Sequence, residues 1–562
     1  MSIKQLKNIT AKYKPCIFLL LTYILSQLNI VFITGQWWDD WTIWTSSASE
    51  IKSIFSENGL PWEAYNLFSV MWIPHWGYRI IVFFLFLFAG LFYYLILKQL
   101  DFITEEDAFW ISAVAVTVPV NDARATLICY GYSLSLCLFM LAFYTTTRLN
   151  SFSGWKKLVL RIISLCCLFY SYTTQSLLVF TGLIWLYLNY VIWKDNNCKK
   201  TIQKVVLFFR IYFDYFLIPF IFFIIKNTFF NPYGRYHNYN SITMKSFING
   251  TFLSPLASLK TLALITQSYL SQIGFLSVIV FSIVIILYFV TVGKPLEQNQ
   301  QKKSFPTIKK QLLIFILGAL VYYAGIFAYI IVRGGAAIEN TGVSGRDAML
   351  AGYGISIMIV VFSRLLPIKK TVQNTIPLFF IIMGVFHFND GYLNYQEDWY
   401  HQQEFANAIE YNKSFSEANT ILCDFSTSSP TNGTRFYSLN GMYYAVTGKK
   451  DKFFFSRIND LQYGLEFNNT FLTGYNADDY DYSDMTIDGI LFINNAPISN
   501  SRLLQIKFHE MFAPNVYEKD IHSITNQTYV SITKETSEKI YELYSNNTLT
   551  SDVLLEIVTS AN

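Results

Sequence analysis

Residues 15–34 read PCIFLLLTYILSQLNIVFIT, and residues 35–44 continue as GQWWDDWTIW. The first stretch is predominantly apolar and has the length of about 20 residues that an α-helix needs to cross a membrane. Lysines precede it and no small-residue cleavage site follows it, so we interpret it as a retained anchor whose N-terminus lies inside. The second stretch places two carboxylates and four tryptophans just beyond the membrane.

Further apolar runs follow along the chain, at residues 77–97, 107–121, 125–147, 159–174, 176–193, 205–225, 272–292, 312–332, 348–366 and 374–389. Only 14% of the 562 residues are charged and the mean hydropathy is +0.32, whereas an ordinary soluble domain carries about 25% charged residues. This composition excludes a soluble enzyme of ordinary design, a disordered chain and a disulfide scaffold. We predict a mainly α, polytopic membrane domain over residues 1–389 with about eleven transmembrane helices.

Basic residues mark every second connection between these runs, at Lys98, at Arg148 to Arg161, at Lys194 to Lys204, at Lys294 to Lys310 and at Arg364 to Lys370. Cytoplasmic loops carry such an excess of Lys and Arg. The alternation predicts a cytoplasmic N-terminus and an extracytoplasmic C-terminal part. The outer connections are then residues 35–76, 121–124, 172–175, 226–271 and 333–347.

The chain changes character at residue 390. From there to the end it holds 11 basic and 23 acidic residues, against 31 basic and 15 acidic residues before that point. Residues 420–425, 489–493 and 529–532 have the pattern of strands, and residues 405–409 look helical. We predict a soluble, extracytoplasmic α/β domain over residues 390–562.

Asp39 and Asp40 are the candidate catalytic residues. A carboxylate at the membrane surface can take the proton of an attacking hydroxyl. Trp38 and its neighbouring tryptophans can stack on a sugar, or they can form an aromatic belt beside two solvated acids. His75, later in the same loop, is either a proton carrier or a polar residue at the interface.

Other outer connections supply candidate substrate-binding residues. Asp122 and Arg124 either pair with each other at a short turn or line a site together with the first loop. Gln175 interrupts two apolar runs, where it either caps a helix or faces a cavity. Arg235 and His237 lie in an aromatic, hydrogen-bonding loop that suits carbohydrate but is also typical of ordered surface loops.

Arg333 and Arg346 are arginines in an outer connection, against the general trend of charge. The planar guanidinium suits the clamping of phosphate. The alternative is an ion pair, of Arg346 with Asp347 or of Arg333 with Glu339. No metal site and no cofactor are predicted, although a requirement for a divalent cation stays open.

These features together resemble a known class of membrane enzymes. The acidic loop at Trp38-Asp39-Asp40, the polar break from Tyr172 to Gln175, and Gly345-Arg346 before the last spans resemble glycosyltransferases of the GT-C class. Within that class the chain is most similar to the bacterial glucosyltransferases that convert O-antigen serotypes. The likeness covers roughly residues 15–390, and the tail is longer than that of the plainest members.

The resemblance implies an inverting enzyme of the plasma (inner) membrane. It would transfer a hexose, glucose above all, from a polyprenyl-phosphate donor to a hydroxyl of a cell-surface glycan or its lipid-linked precursor. Asp39 or Asp40 would be the general base, and Arg346, together with Arg333, would bind the donor phosphate. A donor synthase and a flippase would be functional partners, and nucleic acid would not be one.

Other functions stay open on the sequence. A transporter or flippase of lipid-linked sugars would show paired repeats and broken helices at mid-membrane, whereas here the polar groups cluster at the outer surface and no repeat is visible. A polysaccharide polymerase has a similar topology and also uses outer arginines. A receptor or structural membrane protein with an outer sensing domain is the remaining alternative.

Overall fold

The computed structural model describes most of the chain. The described residues are 3–74, 77–194, 201–237, 241–271, 282–288, 308–334, 342–411, 417–425, 435–457, 460, 479–481, 486–495, 497–546, 548–550, 553–554 and 556.

Helices dominate this part of the chain, as predicted. The α-helices are Ile3–Gln27, Asn29–Phe32, Asp39–Thr45, Ala48–Glu57, Pro61–Phe68, Tyr78–Leu97, Glu105–Ala115, Tyr130–Arg148, Gly154–Ser171, Ser176–Phe180, Gly182–Lys194, Thr201–Phe229, Met244–Ser271, Ile308–Arg333, Ala351–Leu365, Lys370–Tyr411, Phe436–Thr447, Asn500–Phe512, Pro514–Ile524 and Lys534–Ser545. Short 3-10 helices lie at Asp122–Ala125, Leu127–Cys129, Leu149–Ser151, Gly234–Tyr236 and Val343–Ala348.

Among the described residues, eight helical segments are long and apolar enough to cross a membrane: Pro15–Phe32, Tyr78–Leu97, Leu127–Ser151, Ser176–Lys194, Thr201–Phe229, Met244–Leu270, Ile308–Arg333 and Lys370–Asn407. The prediction of a mainly α, polytopic membrane protein agrees with this set. Ala351–Leu365 is a shorter apolar helix, Glu105–Ala115 begins with three acidic residues, and Gly154–Ser171 carries three basic residues. The run at 272–292 lies mostly outside the described residues, and the count of eleven stays a prediction.

One connection was predicted wrongly. Residues 226–271 were expected to form an outer loop, but Met244–Ser271 is a helix of 28 residues. Its most apolar window has a mean hydropathy of only 1.2, the lowest of the eight segments. Serines, threonines and Lys260 dilute the apolar pattern, and Pro255 interrupts it. The helix forms because packing against Ile308–Arg333 compensates for a weak sequence signal.

The last apolar helix, Lys370–Tyr411, continues through the predicted domain boundary at residue 390. Its second half, beyond Asn389, packs against the first loop, residues 35–44. The indole nitrogen of Trp37 donates to the carbonyl oxygen of Tyr395 at 3.1 Å, and that of Trp41 donates to the Gln402 side chain at 2.9 Å. The membrane helices and the tail are therefore joined by one continuous helix.

The tail contains a four-stranded sheet. Its strands are β1 (Thr420–Phe425), β2 (Phe453–Phe455), β3 (Gly489–Asn495) and β4 (Thr525–Ser531), in the order β2-β1-β3-β4. β1 is parallel to β2 and to β3, while β4 is antiparallel to β3. The three predicted strands are present at β1, β3 and β4. β2 was missed because it is only three residues long.

Each face of the sheet is covered by helices. Ile540 of the helix Lys534–Ser545 shares one apolar cluster with Phe453 and Ile490. Leu439 of the helix Phe436–Thr447 belongs to the second cluster, and so does Trp41 of the first outer loop. A residue from the N-terminal region thus forms part of the core of the tail.

Candidate active site

A cavity of about 1090 Å³ is lined by residues between Asp39 and Leu67 together with residues of later helices and connections. Five of the predicted site residues line it: Asp39, Gln175, His237, Arg333 and Arg346. They come from four predicted outer connections that are far apart in sequence. The bundle therefore brings a carboxylate, two guanidinium groups, an amide and an imidazole to a single space.

Asp39 is the first residue of the helix Asp39–Thr45 and is half-buried on the cavity wall. Burial raises the pKa of its carboxyl group, while the charge of Arg346, a hydrogen bond from Tyr437 and the charge of Arg435 oppose that rise. Because the net effect is an increase, the carboxylate is more basic than an exposed one. A proton acceptor works best when its pKa lies near the operating pH.

Asp40 has a different environment although it is the adjacent residue. Its side chain is fully buried, and its two oxygens accept hydrogen bonds from the backbone N–H groups of Leu127 and Ile128 at 3.0 and 2.9 Å. Burial raises its pKa to about 7 against these hydrogen bonds and the charge of Arg79. Asp40 thus ties the first loop to the 3-10 helix Leu127–Cys129, which directly precedes the helix Tyr130–Arg148. It is not among the residues lining the cavity.

The turn before Asp39 is held by Arg79, whose guanidinium is completely buried. It donates to the carbonyl oxygens of Ile33 and Gly35 at 3.1 and 2.6 Å, and to that of Ala125 at 2.9 Å. Gly35 has φ +120°, and a Cβ there would lie 2.6 Å from the Trp399 ring. Only glycine fits this position, which sets the direction in which the chain enters the helix Asp39–Thr45.

Trp38 does not line the cavity. It is 3% exposed and its ring packs against Tyr395 with centroids 5.8 Å apart. Its φ of 52° is unusual for a bulky residue. The burial of the ring explains how this conformation is maintained. A sugar-stacking role of Trp38 stays a prediction without support from its position.

The two outer arginines flank Asp347. Arg333 Nη1 lies 2.6 Å from Asp347 Oδ2, and Arg346 Nε lies 3.7 Å from Asp347 Oδ1. Two cations thus share one carboxylate, so this group of three side chains carries a net positive charge. Arg346 Nε is buried and has no hydrogen-bond partner among the described residues. The ion pair expected between Arg346 and Asp347 is present, but Arg333 also pairs with Asp347, and Glu339 lies outside the described residues.

Asp122 and Arg124 are both buried and lie behind the cavity wall rather than on it. Asp122 accepts from the backbone N–H of Gly342 at 3.2 Å, so it holds the segment that carries Arg346. Arg124 donates to the Tyr392 hydroxyl at 3.2 Å and to the side chain of Gln27. These two residues position neighbouring elements, and their predicted contact with substrate stays a prediction.

The remaining candidates differ in how much is known of their positions. Gln175 precedes the helix Ser176–Phe180 and makes no side-chain capping hydrogen bond, so its amide stays available to the cavity. His237 is exposed at the cavity rim. Arg235 lies in the short helix Gly234–Tyr236, but the position of its side chain is outside the described structure. His75 also lies outside the described residues.

Two charged residues on the wall were missed in the sequence. Glu63 lines the cavity, and burial raises its pKa to about 7 against a hydrogen bond from Asn66. Asn66 Nδ2 lies 3.0 Å from Glu63 Oε2. Lys226 lies near the end of the helix Thr201–Phe229 and also lines the cavity. The sequence signal for Glu63 is a single acid in an otherwise apolar stretch. The signal for Lys226 is a lysine at the end of an apolar run.

No family model matches this chain, and no curated protein matches it. The resemblance to membrane glycosyltransferases therefore rests on the features of the sequence alone. Within the described ranges, no three side chains of His, Cys, Asp or Glu are grouped in a way that could hold a metal ion.

Proposed function

We propose that the protein transfers a hexose from a polyprenyl-phosphate donor to a hydroxyl of a cell-surface glycan or its lipid-linked precursor, on the outer face of the membrane. One observation carries the proposal. Asp39, Arg333 and Arg346 line the same cavity at one end of a bundle of apolar helices. A base and a phosphate clamp are the two functions that such a transfer requires.

The chemistry assigns one step to each group. The acceptor oxygen attacks the anomeric carbon as the bond from that carbon to the phosphate oxygen breaks. The acceptor proton passes to the Asp39 carboxylate. Polyprenyl phosphate leaves with the bonding electron pair. The guanidinium groups of Arg346 and Arg333 stabilise the negative charge that this adds to the phosphate. Attack opposite the leaving group inverts the anomeric centre.

Asp39 is assigned as the base and Asp40 is not, which narrows the original pair of candidates. Asp39 lies on the cavity wall within the field of Arg346. Both carboxylate oxygens of Asp40 are occupied by backbone N–H groups. A base must reach the proton that it removes, and Asp40 is directed away from the cavity.

The wall of the cavity suits a donor that is apolar at one end and polar at the other. Phe222, Phe223 and Phe327 form apolar wall on helices that are long enough to cross a membrane. Thr173, Thr174 and Gln175 supply hydroxyl and amide groups. Its volume of about 1090 Å³ lies slightly above the range of about 300–1,000 Å³ for small-molecule sites. A site that admits a lipid-linked sugar together with its acceptor needs such a volume.

The test is sugar transfer by the purified full-length chain in detergent, with radiolabelled polyprenyl-phosphate glucose and a glycan acceptor. We expect Asp39→Asn to reduce turnover by about 10²–10⁴-fold, the usual contribution of a general base. Glu535→Gln is the matched control, because it removes one negative charge from an exposed position in the tail. Mass spectrometry of the product would show one added hexose.

Three outcomes would contradict the proposal. Absence of transfer with every polyprenyl-phosphate hexose offered would refute it. If the purified protein moves the lipid-linked sugar from one leaflet of a liposome membrane to the other and forms no new glycosidic bond, a flippase is favoured. Products in a ladder of lengths would favour a polymerase. Full turnover in Asp39→Asn would keep the activity but remove the assigned base.

A further inference from the structure

We propose that Glu63 is a binding residue for the acceptor, whose hydroxyl groups donate hydrogen bonds to its carboxylate. The inference rests on the proposed function and deepens it. Asp39 takes the acceptor proton, and Arg333 and Arg346 hold the donor phosphate, so none of them binds the hydroxyl groups that do not react. Glu63 lies on the wall of the same cavity, and no step of the proposed transfer uses it.

The Glu63 carboxylate is held in one orientation. Asn66 Nδ2 lies 3.0 Å from Glu63 Oε2, and Asn66 Oδ1 accepts a hydrogen bond from the Tyr170 hydroxyl. An ionised carboxylate only accepts hydrogen bonds, so the Asn66 amide must turn its NH₂ group to Glu63 and its oxygen to Tyr170. Asn66 is 1% exposed. Because both of its polar atoms are engaged, it fixes the direction of the Glu63 side chain.

A glycine makes room for this carboxylate. Gly131 lies in the first turn of the helix Tyr130–Arg148, and a Cβ there would overlap Glu63 Oε2 and lie 3.2 Å from Asn66 Nδ2. Oε2 is therefore enclosed between Asn66 and this helix. Oε1 accepts no hydrogen bond from any residue that the structure describes, so it stays available to a ligand in the cavity.

The base and Glu63 are anchored to one short segment of the chain. The backbone N–H of Ile128 donates to Asp40, the neighbour of Asp39, at 2.9 Å, and Glu63 lies against Gly131 three residues later. Three residues of helix rise by about 5 Å. The two anchor points are thus about one helical turn apart, which suits the dimensions of one sugar residue. The segment between them contributes to the cavity wall through Ile128, Cys129 and Tyr132.

The charges of the cavity favour a neutral ligand at Glu63. The carboxylate repels the donor phosphate, which Arg333 and Arg346 attract. A cationic ligand would be repelled by the same arginines and by Lys226, which also line the cavity. Neutral hydroxyl groups meet neither penalty, and their hydrogen bonds to a carboxylate are stronger than those to an uncharged acceptor.

Polar groups of a second connection lie beside Glu63. The indole nitrogen of Trp62 donates to the carbonyl oxygen of Thr173 at 3.4 Å. Thr174 and Gln175, the next two residues, line the cavity. Their hydroxyl and amide groups can both donate and accept, whereas Glu63 can only accept. Together these side chains match the protons and the oxygens of sugar hydroxyl groups.

The first measurement is the KM of the full-length chain for the acceptor. Glu63→Gln keeps the length of the side chain and its contact with Asn66 but removes the charge. We expect KM to rise by about 10–100-fold, the effect of a lost hydrogen bond to a charged group, while kcat stays within about tenfold of wild type. A loss of kcat with unchanged KM would instead make Glu63 a proton acceptor and overturn the binding role.

A second pair of variants tests the support of the carboxylate. Tyr170→Phe releases one end of Asn66, so KM should rise by a smaller factor than in Glu63→Gln. Tyr144→Phe is the matched control for loss of a tyrosine hydroxyl. Tyr144 stacks on Phe92 with ring centroids 5.7 Å apart and is not among the residues lining the cavity, so its variant should keep the KM of the wild type.

A third measurement is independent of turnover. Saturation-transfer NMR reports the binding of methyl α-D-mannopyranoside, which offers both cis and trans pairs of neighbouring hydroxyl groups, and of its monodeoxy analogues. Loss of the hydroxyl that Glu63 binds should weaken binding to the wild type by about tenfold or more and weaken binding to Glu63→Gln no further. Unchanged acceptor KM and unchanged glycoside binding in a folded Glu63→Gln protein would refute the proposal.

The two proposals fail in different ways. If the wild type binds the glycosides through Glu63 but transfers no sugar, the proposed function is wrong and the binding site stands. If transfer requires Asp39 but neither KM nor binding depends on Glu63, the function stands and the acceptor site falls. If the wild type neither transfers sugar nor binds any of the glycosides, both fall. Should Glu63→Gln not fold, Tyr170→Phe gives the same readouts through Asn66.

Discussion

Replacement of Asp40 by alanine should destabilise the fold rather than remove a catalytic group. The carboxylate accepts two hydrogen bonds from the backbone N–H groups of Leu127 and Ile128 and is fully buried. In the alanine variant both N–H groups lose their partner in an environment without water. Each unpaired buried group costs about 1–3 kcal/mol. Removal of the buried charge offsets a part of this cost. We therefore expect a net decrease of about 3 kcal/mol in the free energy of unfolding.

The sign of the pH dependence supports the same reasoning. The folded pKa of Asp40 is about 7, above the ordinary value of 3.8, because burial penalises the ionised form. Its contribution to stability is therefore greatest below the ordinary pKa and decreases as pH rises through about 7. Asp40→Asn should remove this decrease, because asparagine does not titrate. The difference in the free energy of unfolding between variant and wild type should therefore change as pH rises to about 7.

The assay is thermal unfolding of the purified chain in detergent, followed with a thiol-reactive dye. Cys129 is buried and directly follows the two residues that Asp40 holds, so its exposure reports on this segment. We expect a decrease of about 5 °C in the midpoint for Asp40→Ala. Asp39→Asn is the control and should unfold like the wild type, because asparagine keeps the size of this half-buried side chain. An Asp40→Ala protein that is as stable as wild type but inactive would refute the structural role and return Asp40 to the catalytic group.

Two further predictions concern the wall of the cavity. Arg346→Gln should lower turnover by about 10²-fold, as loss of a group that stabilises developing charge does; because its charge opposes the raised pKa of Asp39, the acid limb of the pH profile should also move upward. An unchanged acid limb would separate Arg346 from Asp39. Glu63→Gln should keep turnover within about tenfold of wild type. Glutamine can still accept the hydrogen bond from Asn66, and a contact that Glu63 makes equally with substrate and transition state does not contribute to kcat. Complete loss of transfer in a folded Glu63→Gln protein would assign the base to Glu63.

Sequence reasoning found the lining residues more readily than it separated their roles. Arg333 and Arg346 were singled out because arginine opposes the charge trend of outer connections, and both lie on the cavity wall. Asp39 and Asp40 could not be told apart, because adjacent residues in a helix point about 100° apart and only the surroundings decide which one faces a cavity. The packing of the tail on the helix Asp39–Thr45 carries no signal in the sequence, since the Ser438 hydroxyl and the Trp38 carbonyl oxygen that meet there are 400 residues apart.

The segment at residues 226–271 shows the limit of hydropathy as a predictor of helices. A helix of 28 residues forms there, although its apolar pattern is diluted by serines and threonines. In the membrane or in a bundle, a helix satisfies its own backbone and gains stability from the neighbours on which it packs. The mean hydropathy of a sequence window takes no account of those neighbours. The sequence alone therefore underestimates the tendency of such a segment to form a helix.

The sequence by itself determined the class of fold. Long apolar runs, few charges and a change to acidic composition near residue 390 are sufficient to predict membrane helices followed by an α/β tail, because burial of apolar surface depends on composition and periodicity. Only the tertiary structure decided that Asp39 faces the cavity, that Asp40 holds the backbone, and that the tail packs against the helix that carries Asp39. Those assignments depend on distances and directions between segments far apart in the chain, and such distances exist only once the chain is folded.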